Sequence, residues 1–158
     1  MDEHKDLTPK QRYDRERYRK IKAQRDAQKP PDPIELLTPE ECAYIAGIVD
    51  ADGSIFVAAV GPERRKTVYP IVTVAMTYLP LIEWLAEKME AGTIKLHNQT
   101  NMRRFPHLKK QYRMQVFGKR AKLLCQVMLS YMKVKHEQAR LVSTFPTDAR
   151  IAPGVKIE

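Results

Sequence analysis

Apolar and polar positions repeat along the chain with two different spacings, and each spacing predicts a different kind of element. Apolar residues at two-residue spacing, rich in Ile, Val and Phe, predict strands at residues 54–60, 68–76, 94–98 and 111–117. Apolar residues at three- and four-residue spacing predict helices at residues 39–52, 80–91, 119–131 and 134–145. Paired strands that alternate with helices predict an α+β domain with an antiparallel sheet over residues 37–146, in which the order αββαββα is followed by one more helix.

The amino-acid composition indicates the size of the domain, the kind of partner and the compartment. The chain has 158 residues, 43% of them hydrophobic, which suits one compact domain with an appendage. Lys and Arg number 28 against 19 Asp and Glu, and the net charge of +9 indicates a polyanionic partner. Cys42 and Cys125 fit no metal-ligand spacing and are typical of buried thiols in a reducing compartment. Because no apolar stretch is long enough to cross a bilayer, we expect an intracellular protein with no membrane partner.

Both ends of the chain differ from this domain. Residues 10–29 contain nine basic and three acidic residues, and Thr8 and Gln11 form the pattern of a helix capping box. Prolines in residues 29–33 predict a stiff linker. Residues 1–36 are therefore either a solvated tail or a basic helical arm that follows nucleic-acid phosphates. Residues 147–158 are expected to form a C-terminal tail.

Two carboxylates, Asp50 and Asp52, lie where an apolar helix meets a strand. Carboxylates at such a junction can bind Mg²⁺, which prefers hard oxygen ligands. A calcium loop of the EF-hand kind is excluded, because the twelfth position from Asp50 is Gly61 rather than Glu. A plain turn, in which the carboxylates accept hydrogen bonds from backbone amides, remains an alternative for both residues.

A phosphatase nucleophile loop is a further alternative for this junction. Residues 50–54, Asp-Ala-Asp-Gly-Ser, resemble the Asp-x-Asp-Gly-Thr loop of the haloacid dehalogenase family. That loop follows a buried strand, whereas here a helix capping pattern precedes it. The family also needs acidic residues downstream, and after Asp52 the only Asp is Asp148. These two departures disfavour a phosphatase.

Residues 45–53, Ile-Ala-Gly-Ile-Val-Asp-Ala-Asp-Gly, resemble the motif of the LAGLIDADG homing endonucleases at six of nine positions. The three differences are exchanges between aliphatic residues. The resemblance implies a LAGLIDADG-type fold and a site-specific endonuclease that makes a double-strand break in a long pseudo-palindromic target. It implies Mg²⁺ or Mn²⁺ as cofactor and a role in intron or intein homing, in a phage or another mobile element. Members with two motifs act as monomers, so the single motif here implies a homodimer.

The resemblance also assigns site residues. Asp52 and the backbone carbonyl of Ala51 are expected to bind the metal ion. Ala46 and Gly47 remove bulk from one helix face, so we expect two such helices to pack closely, with Ala46, Gly47 and Asp50 at the dimer interface. In such a dimer the C-terminal ends of the two motifs lie close together, so the two Asp52 side chains are expected to be near each other.

Two further catalytic residues follow from the same resemblance. Residues 129–139 are similar to a family segment whose lysine lies at the edge of the catalytic pocket, and the match is Lys135, although Ser130 replaces the usual proline. Lys135 is expected to orient water or stabilise phosphate charge, with a surface or phosphate-contacting lysine as the alternative. Thr77 matches a polar residue near the metals, with a helix-capping threonine as the alternative. Leu81 stands where some members carry a basic residue.

A DNA-facing surface is predicted from charge and strand alternation. No acidic residue occurs from Ala91 to His136, so the lysines and arginines of this span repel one another. Repulsion on that scale indicates a polyanionic partner that neutralises them. Alternation in the last strand places Tyr112, Met114 and Val116 in the core and its polar residues outward, toward base edges. The residues expected to bind double-stranded DNA are Arg64, Arg65, Lys66, Lys95, His97, Arg103, Arg104, Lys109, Lys110, Gln111, Arg113, Gln115, Lys119 and Arg120.

Two alternatives stay open on this surface. The outward side of the first strand carries Phe56, Ala58 and Val60, which either contact thymine methyl groups or are partly covered. The whole domain is either a nuclease or a non-cleaving binder of the same fold, such as an intron RNA maturase or a DNA-binding regulator. The pair Asp50 and Asp52 favours the nuclease, because a protein that only binds has no need of carboxylates facing phosphates.

Overall fold

The computed structural model describes residues 8–61, 67–91, 94–97 and 99–146. In this part of the chain, six α-helices and four strands follow one another: α1 (Pro9–Gln28), α2 (Pro39–Asp52), β1 (Gly53–Val60), β2 (Thr67–Met76), α3 (Leu79–Lys88), β3 (Lys95–Leu96), α4 (Gln99–Arg104), β4 (Tyr112–Phe117), α5 (Gly118–Met128) and α6 (His136–Thr144). Short 3₁₀ helices precede α2 (Pro33–Leu36) and follow α5 (Leu129–Tyr131). The expected α+β class with an antiparallel sheet is confirmed.

The chain divides into two units, residues 1–32 and 33–158. In the first unit, α1 begins with the capping box predicted from Thr8 and Gln11, each side chain bonding the other's backbone. The second unit starts earlier than residue 37, because Ile34 is fully buried within its core. The predicted tail, residues 147–158, lies outside the described residues.

The sheet has the strand order β1-β2-β4-β3, and every neighbouring pair is antiparallel. Three predicted strands are confirmed to within one residue at each end. The strand predicted at residues 94–98 is shorter than expected among the described residues. Lys95 and Leu96 pair with β4, and the His97 N–H adds one bond to the Gln111 carbonyl at 2.7 Å. The basic segment that follows contains the short helix α4.

One face of the sheet packs against the helices of the second unit. Alternate residues of the long strands are buried there, as the sequence pattern requires, and Met114 and Val116 are each 2% exposed. Burial of each such side chain stabilises the fold by roughly 1.5–3 kcal/mol. The largest fully buried partners from the helices are Ile45, Ile82, Leu85, Leu124 and Met128.

Two smaller expectations concern the thiols and the membrane. Cys42 and Cys125 are free and buried, as predicted. Burial raises the pKa of the Cys125 thiol to about 12, so it stays protonated and unreactive at neutral pH. Among the described residues, the model contains no helix with both the length and the apolar character needed to cross a bilayer.

Candidate active site and nucleic-acid surface

Helix α2 carries the motif and is fixed at both ends. Its N-terminus has the predicted capping box, with Glu41 N donating to Thr38 Oγ1 at 3.2 Å and Thr38 N donating to Glu41 Oε2 at 3.1 Å. Pro39 occupies the first turn, and two acidic residues face the positive end of the helix dipole. At the other end, Asp52 is the last helical residue and β1 begins at the next position.

The two small residues of the motif lie on different faces of α2. Ala46 is fully buried in the core of its own chain, so the expectation that it lies on the dimer-facing side is wrong. Gly47 is exposed, and a Cβ atom built there would meet nothing within 4 Å. The exposed small residues recur every four positions, as Ala43, Gly47 and Ala51. The open face of α2 therefore includes the predicted Gly47 but is rotated by about 100° from Ala46.

A shallow groove runs along this open face. It has a volume of about 340 Å³ and is lined by Ala43, Tyr44, Gly47, Ile48, Ala51, Asp52, Met76 and Leu81. Asp52 and Ala51 are both exposed at the end of α2. The proposed metal ligands thus lie on the same surface as the small residues, within one continuous groove.

Gly53 allows the chain to pass from α2 into β1 without a loop. A Cβ atom on Gly53 would lie 2.7 Å from Val49 Cα and 2.8 Å from Val49 O, both backbone atoms. The Gly53 N–H also donates to the Val49 carbonyl, which closes the last turn of α2. The close approach of these two backbones fixes the position of Asp52, the residue between them.

The Asp50 carboxylate is held inside its own chain. It accepts hydrogen bonds from three consecutive backbone N–H groups, those of Lys133 at 2.6 Å, Val134 at 3.2 Å and Lys135 at 2.9 Å. Partial burial raises the pKa of the Asp50 carboxyl, but these donors and the Lys135 ammonium outweigh that effect and lower it. Asp50 therefore binds backbone amides, which was the alternative for this residue, and its expected place at the dimer interface stays a prediction.

The side chain of Lys135, in turn, bonds the backbone of α2. Its ammonium donates to the Val49 carbonyl at 3.0 Å and also to the Asp50 carbonyl. These carbonyls belong to the last turn of α2, where the helix dipole favours a cation. The ammonium is thereby held within three residues of Asp52 along the helix, which is compatible with the expected place at the edge of a catalytic pocket.

Thr77 is exposed between β2 and α3. Helix α3 begins at Leu79 with Tyr78 as its capping residue, and no side chain caps it. The alternative of a helix-capping threonine is therefore not what the structure shows. The neighbouring Met76 lines the same groove as Asp52, so Thr77 follows a residue of the site.

The donor set at the end of α2 suits a hard divalent cation. Asp52 offers carboxylate oxygens, and the negative end of the helix dipole adds to the attraction for a cation. Within the described residues, no three His, Cys, Asp or Glu side chains cluster as a metal site would require. Among the described residues, one chain therefore offers fewer than three such side chains around Asp52, so a metal ion there needs further oxygen ligands, such as backbone carbonyls, phosphates, water or a second chain.

The face of the sheet opposite the core is organised in rows across the strands. Two rows are mostly polar, Ala75–Arg113–Lys95 and Ser54–Thr73–Gln115. The next two are apolar, Phe56–Ile71–Phe117 and Ala58–Tyr69. We call them the polar rows and the aromatic rows.

The aromatic rows are partly exposed on their outer side. Phe56 is 42% exposed and Phe117 is 49% exposed, and the Phe117 ring meets Tyr69 edge-on at 6.3 Å between centroids. Ile71, between Phe56 and Phe117, is only 6% exposed, and Ala58 and Tyr69 are half-buried, so both alternatives for the first strand stay open. Val60 adds nothing to this choice, because its side chain lies outside the described part.

Arg113 stands in the first polar row. Its Nε is the one side-chain nitrogen or oxygen in the described part of the chain that is buried without a hydrogen-bond partner. An unsatisfied donor of this kind costs free energy unless a ligand completes it. Since guanidinium groups pair with phosphates and with guanine edges, the expected DNA role of Arg113 offers such a ligand.

Of the other predicted DNA contacts within the described residues, seven are exposed and three are half-buried. Arg120 donates to the carbonyls of Met89 and, at 3.0 Å, Glu90, so it closes the C-terminal end of α3 rather than facing solvent. Arg64, Arg65 and Lys66 lie outside the described residues. Gln111 and Gln115 are half-buried, and the exposed residues are Lys95, His97, Arg103, Arg104, Lys109, Lys110 and Lys119.

Comparison with known proteins gives structural relatives only. No family model matches the chain, and no curated protein matches it. The homing endonuclease I-CvuI, solved with the I-CreI target in the presence of magnesium, is 25% identical with a TM-score of 0.53, over 65% of this chain and 63% of that one. The archaeal intron-encoded homing endonuclease I-Vdi141I, complexed with DNA, is 19% identical with a TM-score of 0.51 over 65% and 64%.

A third relative carries the motif in its name. The LAGLIDADG homing endonuclease I-GzeII, in complex with its DNA target, is 17% identical with a TM-score of 0.50, over 68% of this chain and 34% of that one. The chain thus spans less than two thirds of the length of each of these relatives. The motif at residues 45–53, its place at the end of α2 and these structural relatives agree, and the chain has the fold of the LAGLIDADG homing endonucleases.

Proposed function

We propose that this chain is a site-specific DNA endonuclease that acts as a homodimer and uses Mg²⁺ or Mn²⁺ to break both strands of a long, near-palindromic target. The observation that carries the proposal is the exposed Asp52, which ends an open face of small residues on α2 in a chain with this fold. A double-strand break at one site is the chemistry that intron or intein homing requires. Such a protein acts where DNA is, inside the cell.

The homodimer follows from the shape of α2. Ala43, Gly47 and Ala51 leave room for the backbone of a second α2 to approach closely, because no side chain larger than a methyl group intervenes. Tyr44 and Ile48 beside them supply apolar area to such a contact. A two-fold axis along this face places the two Asp52 carboxylates near each other, and a symmetric dimer binds a near-palindromic duplex.

The residues around Asp52 have distinct roles in the proposed reaction. Asp52 and the Ala51 carbonyl hold the divalent ion, which supplies Lewis-acid stabilisation of the phosphate and lowers the pKa of water. Lys135 fixes the last turn of α2 and keeps a positive charge beside it. Thr77 offers a hydroxyl for the surrounding water. The proposed reaction uses no side chain as a general base, so positioning and charge provide most of the rate.

DNA recognition is assigned to the outer face of the sheet. Arg113 and Gln115 in the polar rows present donors and acceptors that suit guanine and adenine edges in the major groove. The aromatic rows contact apolar groups there, among which the thymine methyl is the one that a base pair offers. Exposed lysines and arginines outside the sheet contact phosphates and fix the register. The DNA complexes of I-CvuI and I-Vdi141I support this assignment.

The proposal is tested with plasmids that carry an intact, intron-free insertion site or a randomised near-palindromic insert. The full chain is expected to linearise only plasmids with its target, in Mg²⁺ or Mn²⁺, and Asp52→Asn is expected to bind the same DNA without cutting it. Glu83→Gln, which removes an exposed carboxylate from α3, is the matched control and is expected to cleave normally. Tight binding to intron RNA without any DNA cleavage would instead indicate the non-cleaving alternative.

A further inference from the structure

Helix α1 buries none of its side chains. All 20 of its residues are exposed, and none is buried. A helix of this length is marginal in water unless something supports it, yet the sequence equips α1 with a complete capping box and a proline at its first turn. The helix therefore has no packing role within its own unit. Any role that it has must come from its exposed side chains.

The charges of α1 are arranged unevenly. Eight basic residues stand against three acidic ones, and four of the basic ones, Arg12, Arg15, Arg19 and Lys22, follow at spacings of three, four and three. On an α-helix this spacing keeps the four side chains within about 80° of arc, along about 15 Å of the axis. We call this set the cationic stripe.

Like charges repel within the cationic stripe, although Glu16 and Asp26 lie three or four positions from three of its members. Each of its members has another member three or four positions away, and like charges at these spacings repel one another. A helix with no buried side chain has no packing energy to offset this repulsion. A polyanion laid along the stripe would remove the conflict, because its charges replace the repulsion with attraction.

We infer that α1 is a second DNA-binding element, which lays the cationic stripe along phosphates of duplex DNA beside the stretch held by the endonuclease fold. The position beside that stretch rests on the proposed function. Lys29, Pro30 and Pro31 lead from α1 toward the second unit, and a short proline-rich tether gives the helix a high effective concentration near bound DNA.

The composition of α1 favours a phosphate backbone over a membrane or another helix. A membrane-surface helix needs a broad apolar face, whereas α1 offers only Tyr13, Tyr18 and Ile21 as large apolar side chains. Tyr13 and Ile21 line a shallow groove together with Glu16, Arg17 and Lys20, so that face is itself charged. Phosphate contacts need neither an apolar face nor a base-specific pattern, which matches what α1 presents.

The test compares two variants of the full chain that lose the same charge. One changes the cationic stripe to Gln (Arg12→Gln, Arg15→Gln, Arg19→Gln and Lys22→Gln). The matched control changes the four basic residues on the other sides of the helix (Lys10→Gln, Arg17→Gln, Lys20→Gln and Arg25→Gln). Both keep good helix formers, and circular dichroism confirms that the helix content is unchanged.

Binding to a long mixed-sequence duplex is measured over a range of salt concentrations. The stripe variant is expected to flatten the slope of log Kd against log salt by about 3 to 4 for each chain bound, since each phosphate contact contributes about 0.9. The control is expected to change the slope by less than about 1. Equal changes in both variants, or no change in either, would overturn the inference.

Two further probes separate this inference from its alternatives and from the proposed function. Single-stranded RNA and vesicles that contain phosphatidylserine are expected to show no greater loss with the stripe variant than with the control. A stripe-specific loss on either probe but not on duplex DNA would contradict the inference. If target cleavage is seen but the slope does not depend on the stripe, only this inference fails, whereas the reverse result would remove the proposed function alone.

Discussion

Asp50 and Lys135 each bind the backbone of the other, although they are 85 residues apart in the sequence. The Asp50 carboxylate accepts from the Lys135 backbone N–H at 2.9 Å, and the Lys135 ammonium donates to the Asp50 carbonyl. This reciprocal contact joins the last turn of α2 to the segment that enters α6. It therefore supports the end of the helix on which Asp52 stands.

The contact predicts a pH-dependent contribution to stability. Because the pKa of Asp50 is lower in the folded chain than in the unfolded one, its contribution is present above about pH 4 and is lost as the pH falls through the folded value. Asp50→Asn is expected to lower the free energy of unfolding by roughly 1–3 kcal/mol at pH 7. The difference between variant and wild type should shrink in acid. Urea unfolding at several pH values measures this, and Glu83→Gln serves as the control.

The two glycines of the motif are expected to respond oppositely to the same substitution. Gly53→Ala places a Cβ against backbone atoms of Val49 and should destabilise the chain by roughly 1–3 kcal/mol, with loss of cleavage. Gly47→Ala meets open space within one chain and should leave its fold intact. Gly47→Leu is also expected to fold, but it should lower dimer affinity in sedimentation experiments. A Gly47→Leu chain that dimerises as wild type would count against the proposed interface.

Substitutions at Arg113 and Arg120 are expected to have different effects, one on DNA binding and the other on stability. Arg120→Gln loses the two contacts to carbonyls at the end of α3 and is expected to cost roughly 1–3 kcal/mol of stability. Arg113→Gln is expected to keep or raise stability, because the buried Nε without a partner is removed. It should weaken target binding by roughly 1–3 kcal/mol. Thermal unfolding and fluorescence anisotropy on the two variants check this, and the reverse pattern would exclude Arg113 from the interface.

The aromatic rows predict a response to thymine methyl groups in the target. Replacing a contacted thymine by uracil removes one methyl group, which is worth about 0.8 kcal/mol when buried, so binding should weaken a few-fold. Phe56→Thr is expected to abolish this difference between thymine and uracil. Val57→Thr, on the opposite side of the same strand and similarly exposed, is the control and should keep it. Uniform indifference to uracil would mean that the aromatic rows do not face bases.

Sequence patterns within a single segment predicted most of the helices and strands. Capping boxes placed the starts of α1 and α2, and two-residue alternation placed the long strands and their buried faces. The predicted length of the strand at residues 94–98 was wrong, because the length of an edge strand is set by pairing. Among the described residues, β3 pairs with β4 at Lys95 and Leu96. Pairing partners are distant in sequence, and alternation within one segment does not contain them.

The same division holds for the candidate site. The motif and the end of α2 followed from the sequence, but the faces of the helix did not, since Ala46 and Gly47 are adjacent small residues with opposite surroundings. The recurrence of Ala43, Gly47 and Ala51 was the signal that would have found the open face. The partners of Asp50 and of Arg120 come from distant segments. No spacing rule within residues 45–53 could supply them.

The most direct test of the central claim uses mixed dimers of wild-type chains and Asp52→Asn chains, separated by different affinity tags, on a supercoiled plasmid that carries the target. If one Asp52 from each chain is needed for the cut, mixed dimers should nick one strand, wild-type dimers should linearise the plasmid, and Asp52→Asn dimers should leave it intact. Linearisation by the Asp52→Asn dimer, or by a chain that stays monomeric on its DNA, would contradict the account.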